Sequence, residues 1–336
     1  MKVIKPSVTY LDKRGMTPYQ FIEKVGRTCY KSENNITEGS AIRFVRGLVD
    51  RKHYAMIEHY WVHLVVKADI PYELTELGLN DVKKYMHFSI LDNGFTYISC
   101  PLRVFLDNID IMEDLHNPYI YPIQDMWQCV VNEFPDLFGL PTKPTTLSKY
   151  LTEEDFCSKL SKELEQLEVS ADKISEELTK HITHTLHFIC DRGVTHELVR
   201  HRPCSFAQES QRYCNYGLDK FDKEITFIEP LFFNRWIDNI LPSCQTDEYF
   251  LWQSACEFAE KRYFQLLDLG KTPQEARTVL PNSTKTEIIV TTNEREWQHI
   301  LNLRYHGTTG APHHQMLEGM TIAQKLLIYE SEGRIG

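Results

Sequence analysis

The residues best suited to chemistry in this sequence are concentrated at the end of one predicted helix and in the loop after it. Glu197, Arg200 and His201 stand three and four positions apart, so a carboxylate, a guanidinium and an imidazole share one helix face. The loop adds further polar side chains, namely Ser205, Gln208, Glu209, Ser210 and Arg212. Arginines among apolar neighbours, rather than among Lys and Glu, indicate bidentate recognition of phosphates and base edges. Arg-His-Arg alone is also typical of a helix end whose cations interact with the helix dipole.

Strands and helices on both sides of this segment must position these side chains. Residues 181–190 alternate as a strand, which separates His184, Leu186 and Phe188 on one face from His181, Thr183, Thr185 and His187 on the other. Asp191 can cap a helix over 192–202, which should end there because Pro203 disfavours helical geometry in the residue before it. A second strand is predicted over 284–292, and it leads into Asn293 as the N-cap of another helix.

Other segments of the chain carry clear local signals. Thr17-Pro18-Tyr19-Gln20 and Thr272-Pro273-Gln274-Glu275 are capping boxes with proline at the first helical position, and they predict helices to about Tyr30 and Leu280. Further helices are predicted over 40–52 and 246–269, and further strands within 53–69, over 95–100 and over 225–230. Residues 70–180 differ in character and end in a charged helical stretch over 153–180. We therefore predict a single domain over 1–336 with an insertion or subdomain at 70–180.

Composition excludes several classes of protein. The 336 residues include 37 Lys plus Arg against 47 Asp plus Glu, a net charge of −10, so there is no global positive field to hold a polyanion. The nine cysteines are odd in number and form no CxxC pair, which predicts reduced thiols in a cytoplasmic protein. The sequence shows no signal peptide and no apolar run long enough to span a membrane. It also contains no GxGxxG or GxxxxGK[ST] nucleotide motif.

One motif is specific enough to indicate a family. Arg200-His201-Arg202 followed after seven residues by Ser210 is RHR-x7-S, and the string DRGVTHELVRHRPCSFAQESQRYCNY resembles the signature of flavin-dependent thymidylate synthases. HYAMIEH at 53–59, ARTVLP at 276–281 and TTNEREWQHILNLR at 291–304 are also similar to the family, in the same order. Residues 70–180 match less clearly and look like the insertion of longer members.

The resemblance implies a fold and a reaction. The fold would be α+β, a mixed, largely antiparallel sheet flanked by helices. The reaction would convert dUMP to dTMP, with 5,10-methylenetetrahydrofolate as carbon donor and NADPH as reductant through bound FAD. The family uses no cysteine nucleophile, which suits cysteines without an evident activating partner. The resemblance also implies a homotetramer whose active sites are shared between subunits, with neither nucleic acid nor membrane as a partner.

The same resemblance assigns site residues. Arg304 would be the main catalytic group, polarising the uracil ring, and Ser210 would position the pyrimidine beside it. The residues that would bind dUMP are Glu197, Leu198, Val199, Arg200, Gln208, Glu209, Ser210, Gln211, Arg212, Arg277 and Arg304. The residues that would bind FAD are His53, Ala55, Arg200, His201, Arg202, Gln208, Asn293, Glu294, Arg295 and His299. This chain departs from the commonest family pattern at Ala55, Glu197 and Gln208.

Two alternatives of other classes remain at this point. His181, His184 and His187, or His313 and His314, suggest a metal-dependent hydrolase, although strand alternation separates His184 from its neighbours. The Arg-His-Arg segment and RYCNY at 212–216 suggest an RNA-binding module without catalysis. The net charge of −10 counts against the RNA module.

Overall fold

The structure, a computed structural model, describes residues 1–112, 120–212, 214–234 and 247–335. Its strands are β1 (Lys2–Ile4), β2 (Ser7–Tyr10), β3 (Trp61–Val66), β4 (His87–Ile90), β5 (Thr96–Pro101), β6 (Ser148–Leu151), β7 (Thr183–Asp191), β8 (Ser205–Gln208), β9 (Thr226–Ile228) and β10 (Lys285–Asn293). Its helices are α1 (Pro18–Tyr30), α2 (Ser40–Asp50), α3 (Ile70–Glu76), α4 (Asn80–Lys83), α5 (Arg103–Asp107), α6 (Tyr121–Glu133), α7 (Pro135–Phe138), α8 (Glu153–Gln166), α9 (Ala171–Leu178), α10 (Arg192–Leu198), α11 (Asp247–Asp268), α12 (Pro273–Ala276), α13 (Glu294–Arg304) and α14 (His314–Ile335).

Most strands belong to two antiparallel sheets of four strands each. The central sheet has the order β2-β7-β10-β8, and the insertion sheet has the order β4-β5-β3-β6. A separate parallel pair joins β1 to β9. The α+β class with largely antiparallel strands is therefore confirmed, although the strands form three sheets instead of one.

The central sheet separates two hydrophobic layers. Its β7 and β10 pair along nine residues, from Thr183 opposite Asn293 to Asp191 opposite Lys285. On one face, Leu186 and Phe188 pack with α10, α13 and α14, as the predicted alternation requires. The other face packs against α1. The polar residues that the sequence placed on that face, among them Thr185 and His187, bond across to β10.

The insertion sheet takes three of its four strands from residues 70–180. Its fourth strand, β3, precedes them. One hydrophobic core runs from Trp127 of α6 through β3 and α1 to Ile289 of the central sheet. The inserted segment and the central sheet are thus packed together through shared side chains.

Local capping signals predicted the helix starts well. Thr17 and Thr272 form the expected reciprocal capping boxes. Asp191 accepts from the Val194 amide and Asn293 accepts from the Glu296 amide, so both are N-caps as predicted. Within the described residues, no helix is long and apolar enough to cross a bilayer.

Two predictions around the signature motif were wrong. The helix expected over 192–202 ends at Leu198, because the amides of Arg200 and His201 bond only three residues back and tighten the chain into a turn. The segment expected as a loop after Pro203 contains β8, which pairs with β10 from Ser205 opposite Thr291 to Gln208 opposite Ile288. The charged stretch over 153–180, expected as one helical run, is divided into α8 and α9.

Candidate active site

Arg304, at the end of α13, holds together parts of the chain that are far apart in sequence. Its Nη1 donates to Oε2 of Glu197 at 2.7 Å, and its Nη2 lies 3.5 Å from the Glu197 carbonyl oxygen. Its Nε donates to Nε2 of His201 at 3.2 Å. The Arg304 and Glu197 side chains are 26% and 33% exposed, so the guanidinium is fixed in direction and still accessible. A cation held in this way is preorganised to meet a developing negative charge.

His201 forms the inner part of this cluster. Burial and the neighbouring Arg304 lower the pKa of His201 to about 4, so its ring is neutral near pH 7. Because Nε2 accepts from Arg304, the proton of the neutral ring is on Nδ1, 3.9 Å from Oε1 of Glu296. The His299 ring lies at 75° to that of His201, with 6.2 Å between the centroids. Burial raises the pKa of Glu296.

The histidines proposed for a metal hydrolase do not converge. His181 bonds Ser89 and Ser99, His184 bonds Tyr10, and His187 bonds Glu287. Among the described residues, the one group with metal-ligand spacing is His201, Glu296 and His299, whose ligand atoms lie within 4.8 Å of one another. The adjacent Arg304 guanidinium opposes a metal cation at that group. The stacking residue Tyr213 of the RNA alternative lies outside the described residues.

A second group of charges surrounds Glu209, just after β8. The carboxylate of Glu209 is buried, accepts from Lys285 Nζ at 2.8 Å and accepts from the Tyr216 hydroxyl at 3.2 Å. Arg192 and Arg277 lie close enough to repel each other, and that repulsion together with burial lowers the pKa of Arg192. Neither guanidinium has a hydrogen bond or an ion pair to any residue that the structure describes. Two facing cations of this kind are suited to an anionic ligand.

Arg192 was missed by sequence reasoning. Its signal was present, because it belongs to the DRG part of the signature string. It was read only as the first residue of a helix, and its proximity to Arg277 depends on the pairing of β7 with β10.

The residues between Gln208 and Arg212 have different environments. Gln208 bonds Thr195 of α10 at 2.9 Å and so connects β8 to the helix. The amide of Ser210 donates to the Cys29 carbonyl at 3.2 Å. Gln211 is 7% exposed, and its side-chain amide lies beside the Tyr216 hydroxyl. Arg212 donates to Gln274 at 3.0 Å.

His53 lies on the α1 side of the central sheet. Its Nδ1 is 2.6 Å from the Tyr30 hydroxyl, and the Tyr30 ring meets the His53 ring edge to face. Ala55 is partly buried against the same core as α1. The Cys29 carbonyl accepts a hydrogen bond from the Ser210 amide, and the next residue, Tyr30, contacts His53. The end of α1 therefore places His53 near the segment 208–212.

The structure therefore brings some predicted residues together and separates others. Glu197, His201, His299 and Arg304 meet between α10 and α13. Leu198 packs in the core with 1% exposure, so a ligand contact there would involve its backbone, whereas Val199, Arg200 and Arg202 are exposed. No hydrogen bond or ion pair joins His53 to the Arg304 cluster within the described residues.

Asn293, Glu294 and Arg295, which the family resemblance assigns to FAD, lie at the N-terminal end of α13. Asn293 is 2% exposed, and its Oδ1 caps the helix while its Nδ2 donates to the Lys180 carbonyl at 3.0 Å. Glu294 Oε2 lies 3.7 Å from Nε2 of the buried His184. Arg295 is exposed, and its guanidinium has no hydrogen bond or ion pair to any residue that the structure describes. Arg200, Arg202 and Arg295 are each exposed, and a guanidinium is the kind of donor that pairs with the phosphates of a flavin dinucleotide.

Comparison with known proteins places the chain in a family. A family model described as thymidylate synthase complementing protein matches residues 154–324, about half of the chain. The chain belongs to this family. The match includes every predicted site residue except His53 and Ala55. The resemblance drawn from the RHR-x7-S motif is thereby confirmed.

Individual members of the family are similar over a shorter part of the chain. The flavin-dependent thymidylate synthase of Pyrococcus furiosus is 36% identical over 132 residues, 38% of this chain and 49% of that protein. The flavin-dependent thymidylate synthase of Corynebacterium efficiens is 34% identical over 117 residues, 34% of this chain and 45% of that protein. The chain spans about half the length of the curated relatives it matches.

A solved structure also aligns with most of the chain. The UMP/dUMP methylase PolB from Streptomyces cacaoi, bound with 5-Br dUMP, aligns over 97% of this chain and 91% of its own. The TM-score is 0.38 and the sequence identity is 16%.

Proposed function

We propose that this protein is a flavin-dependent thymidylate synthase. It would methylate dUMP to dTMP with 5,10-methylenetetrahydrofolate as carbon donor and NADPH as reductant through FAD. The observation that carries the proposal is Arg304, held by Glu197 and His201 of the RHR-x7-S segment in a chain of this family. The proposal names the substrates because relatives that are 36% and 34% identical over part of this chain are flavin-dependent thymidylate synthases.

The proposed chemical role of Arg304 follows from the electronic demand of the reaction. Uracil C5 is a poor nucleophile, so bond formation there spreads negative charge over N3 and O4 of the ring. A guanidinium already fixed in direction stabilises that charge without reorganising in the transition state. Glu197 and His201 provide this fixation, since they engage Nη1 and Nε.

The phosphate of dUMP requires cationic and neutral donors. Burial and the positive charge of Arg277 lower the pKa of Arg192, and an arriving dianion would be attracted by both guanidiniums. Gln211 contributes a buried side-chain amide beside the Tyr216 hydroxyl. In this proposal Arg212 and Ser210 complete the nucleotide contacts, with Ser210 positioned through its bond to the Cys29 carbonyl.

The flavin would be held by His53 and Ala55, by Arg200, His201, Arg202 and Gln208, and by Asn293, Glu294, Arg295 and His299. When bound, FAD supplies a carrier for hydride and for the methylene group. The exposed arginines would bind its phosphates. The neutral His201 ring would donate a hydrogen bond to the flavin from Nδ1. Cations around the site favour an anionic, reduced cofactor.

A thiol nucleophile is not part of the proposed mechanism. Cys29 contacts the signature motif at the end of β8, where its Sγ donates to the Gln208 carbonyl at 2.9 Å. Burial and the nearby Glu209 raise the pKa of Cys29 to about 11, and burial raises the pKa of Cys204 to about 12. Both thiols are therefore protonated near pH 7 and are poor nucleophiles. None of the eight described cysteines forms a disulfide, in keeping with the proposed cytoplasmic location.

We also propose a homotetramer with sites shared between subunits. The division of the site supports it, because His53 lies on the α1 side of the central sheet while Arg304 lies between α10 and α13. In a homotetramer a neighbouring chain could bring these two groups to one ligand.

One assay tests the proposed activity. Purified protein with FAD and 5,10-methylenetetrahydrofolate is given NADPH, with and without dUMP, and dTMP is measured as product. The proposal expects dTMP to form only when dUMP is present, together with a flavin absorption band on the protein. Absence of dTMP from flavin-loaded protein would exclude the proposed reaction.

A further inference from the structure

A cavity of about 290 Å³ lies between α13 and α14. Its apolar lining includes Trp297, Leu301 and Leu327, which belong to the hydrophobic core on that side of the central sheet or pack against it. The side chains of Glu294 and Gln324 add polar groups to the same lining. Apolar walls with a few polar groups are typical of pockets for small organic molecules, and this volume is close to the lower end of their range.

A buried histidine lines this cavity with one of its nitrogens unpaired. His184 is 1% exposed, and its Nδ1 lies 3.1 Å from the Tyr10 hydroxyl. Its carbonyl accepts from Trp297 Nε1 at 3.1 Å. Its Nε2 has no hydrogen-bond partner among the residues that the structure describes. Because buried polar atoms in proteins are nearly always hydrogen-bonded, the unpaired Nε2 indicates that a molecule in the cavity supplies its partner.

Glu294 provides a second polar atom close to this nitrogen. Its Oε2 lies 3.7 Å from His184 Nε2, which is too far for a direct hydrogen bond, and its Oε1 accepts from Gln298 Nε2 at 3.4 Å. When the Tyr10 hydroxyl donates to Nδ1, the ring proton of His184 is on Nε2. The cavity then presents one donor and one acceptor side by side. A lactam, in which a ring N–H is adjacent to a carbonyl, has the complementary pair, and both thymine and guanine carry it.

The charge of the cavity disfavours phosphorylated ligands. Apart from two histidines, Glu294 is the one ionisable side chain among the described residues that line it. No lysine or arginine of the described chain is part of this lining. A nucleotide phosphate would therefore meet a carboxylate without a compensating cation. The substrates and cofactors of the proposed reaction are all anionic, so the cavity is suited to a different, uncharged molecule.

We propose that this cavity binds a neutral nucleobase or nucleoside by its lactam edge. The ring N–H donates to Glu294 Oε2, and the adjacent carbonyl accepts from His184 Nε2. Leu301 and Leu327 pack against the ring. Arg304 and its partners do not line the cavity, so this site is distinct from the one at which the proposed function places dUMP, and the inference goes beyond that function.

Ligands that differ in one group test the recognised edge without changing the protein. Thymidine and guanosine are titrated by calorimetry into purified protein that is saturated with dUMP, so that the proposed active site is already occupied. In 3-methylthymidine and 1-methylguanosine a methyl group replaces the lactam proton, and adenosine has no lactam. We expect saturable binding of thymidine or guanosine, with the methylated analogue and adenosine weaker by about tenfold or more. The nucleoside that binds more tightly identifies the source as a pyrimidine or a purine.

Variants then locate the binding in the cavity. E294M removes the carboxylate acceptor at similar size, and Q324F fills the cavity with a ring. Both should weaken nucleoside binding by about tenfold or more, and Q324F should form dTMP at the wild-type rate. E248M, which removes an exposed carboxylate in the first turn of α11, is the matched control and should bind within about twofold of the wild type. Flavin content is measured for E294M, because Glu294 is also among the residues proposed to contact FAD.

Several results would overturn the proposal. Equal affinity for a nucleoside and its N-methylated analogue would exclude recognition of the lactam edge. Binding that disappears when dUMP is present would assign the nucleoside to the dUMP site instead. Unchanged affinity in both E294M and Q324F, or no binding of either nucleoside to the wild type, would also refute the inference. Formation of dTMP by a protein that binds neither nucleoside refutes this inference alone, whereas nucleoside binding without dTMP formation refutes the proposed function alone.

Discussion

Histidines serve two different purposes on the two sides of the central sheet. Between the insertion sheet and the central sheet, His63 and His181 both bond Ser99, at 2.8 and 2.9 Å, and His181 also bonds Ser89 at 2.8 Å. All four side chains are at least nine-tenths buried. Between α10 and α13, His201 instead contacts a partly exposed arginine.

The comparison shows what distinguishes a structural polar network from a binding site. In the insertion interface the polar groups are enclosed, and most of them satisfy one another. In the α10–α13 cluster, the inner side chain is buried while Arg304 and the neighbouring Arg200 face solvent. A ligand can reach only the second arrangement. Both contain the same residue types, so composition alone does not separate them.

The largest expected effect is on the exposed cluster. R304A should reduce dTMP formation by about three orders of magnitude or more, because the preorganised cation is lost, and it should largely spare bound FAD. Steady-state dTMP production and the flavin content of purified protein check this. R262A, which removes an exposed arginine that bonds Gln265 on α11, is the matched control. Near-normal turnover in R304A would remove the assigned role of Arg304.

A substitution in the histidine–serine network between the insertion sheet and the central sheet should change the stability of the protein instead of its activity. H181A leaves the hydroxyls of Ser89 and Ser99 without their shared partner and opens a cavity, so it should lower the free energy of unfolding by about 3 kcal/mol. Urea denaturation followed by circular dichroism measures the change. Activity per folded molecule should stay close to that of the wild type. A fully stable H181A protein would show that the network is dispensable.

Lowering the pH should reduce the free energy of unfolding, because protonation of buried neutral histidines is favoured only in the unfolded chain. Burial lowers the folded-state pKa of His59 to about 3 and those of His87 and His201 to about 4. Their stabilising contribution is complete above the unfolded value of about 6.5 and is lost as the pH falls from there toward the folded values. We expect each such histidine to cost about 2 kcal/mol between pH 6.5 and pH 5. Denaturant unfolding at pH 7.5 and pH 5 measures the difference, and H59Q should reduce it.

Substitution of Arg200 should have a smaller effect, which is shared between the binding of two ligands. R200A should weaken binding of both dUMP and FAD by about tenfold each, the scale of one charge-assisted contact, since the residue is proposed to bind both. Isothermal titration of each ligand against the variant measures this. R262A, which removes an exposed arginine on α11 far from the signature motif in sequence, serves as the control. Unchanged affinity for both ligands would contradict a shared site at Arg200.

Local signals allowed much of the fold to be predicted. Caps at Thr17, Asp191, Thr272 and Asn293 involve residues only three positions apart, so their bonds form within a single turn. The two faces of β7 could also be predicted from the sequence, because successive side chains of a strand point to opposite faces. Arg304 and its motif were found by family resemblance.

Long-range contacts could not be predicted in the same way. The strand β8 exists because β10 pairs with it, and the sequence of 205–208 by itself is compatible with a loop. Arg192 faces Arg277 only after β7 and β10 have come together. His87 meets Asn293 across more than two hundred positions of sequence.

By itself, the amino-acid sequence determined the helix caps, which side chains of β7 share a face of the sheet, the family, and the identity of the charged groups. Each of these depends on neighbours in the chain or on a contiguous motif. Only the tertiary structure decided which of those groups are enclosed by partners and which remain open. The reason is that burial and partnership are set by distant segments that meet on folding. Arg304 and His181 differ in this respect, and no local pattern distinguishes them.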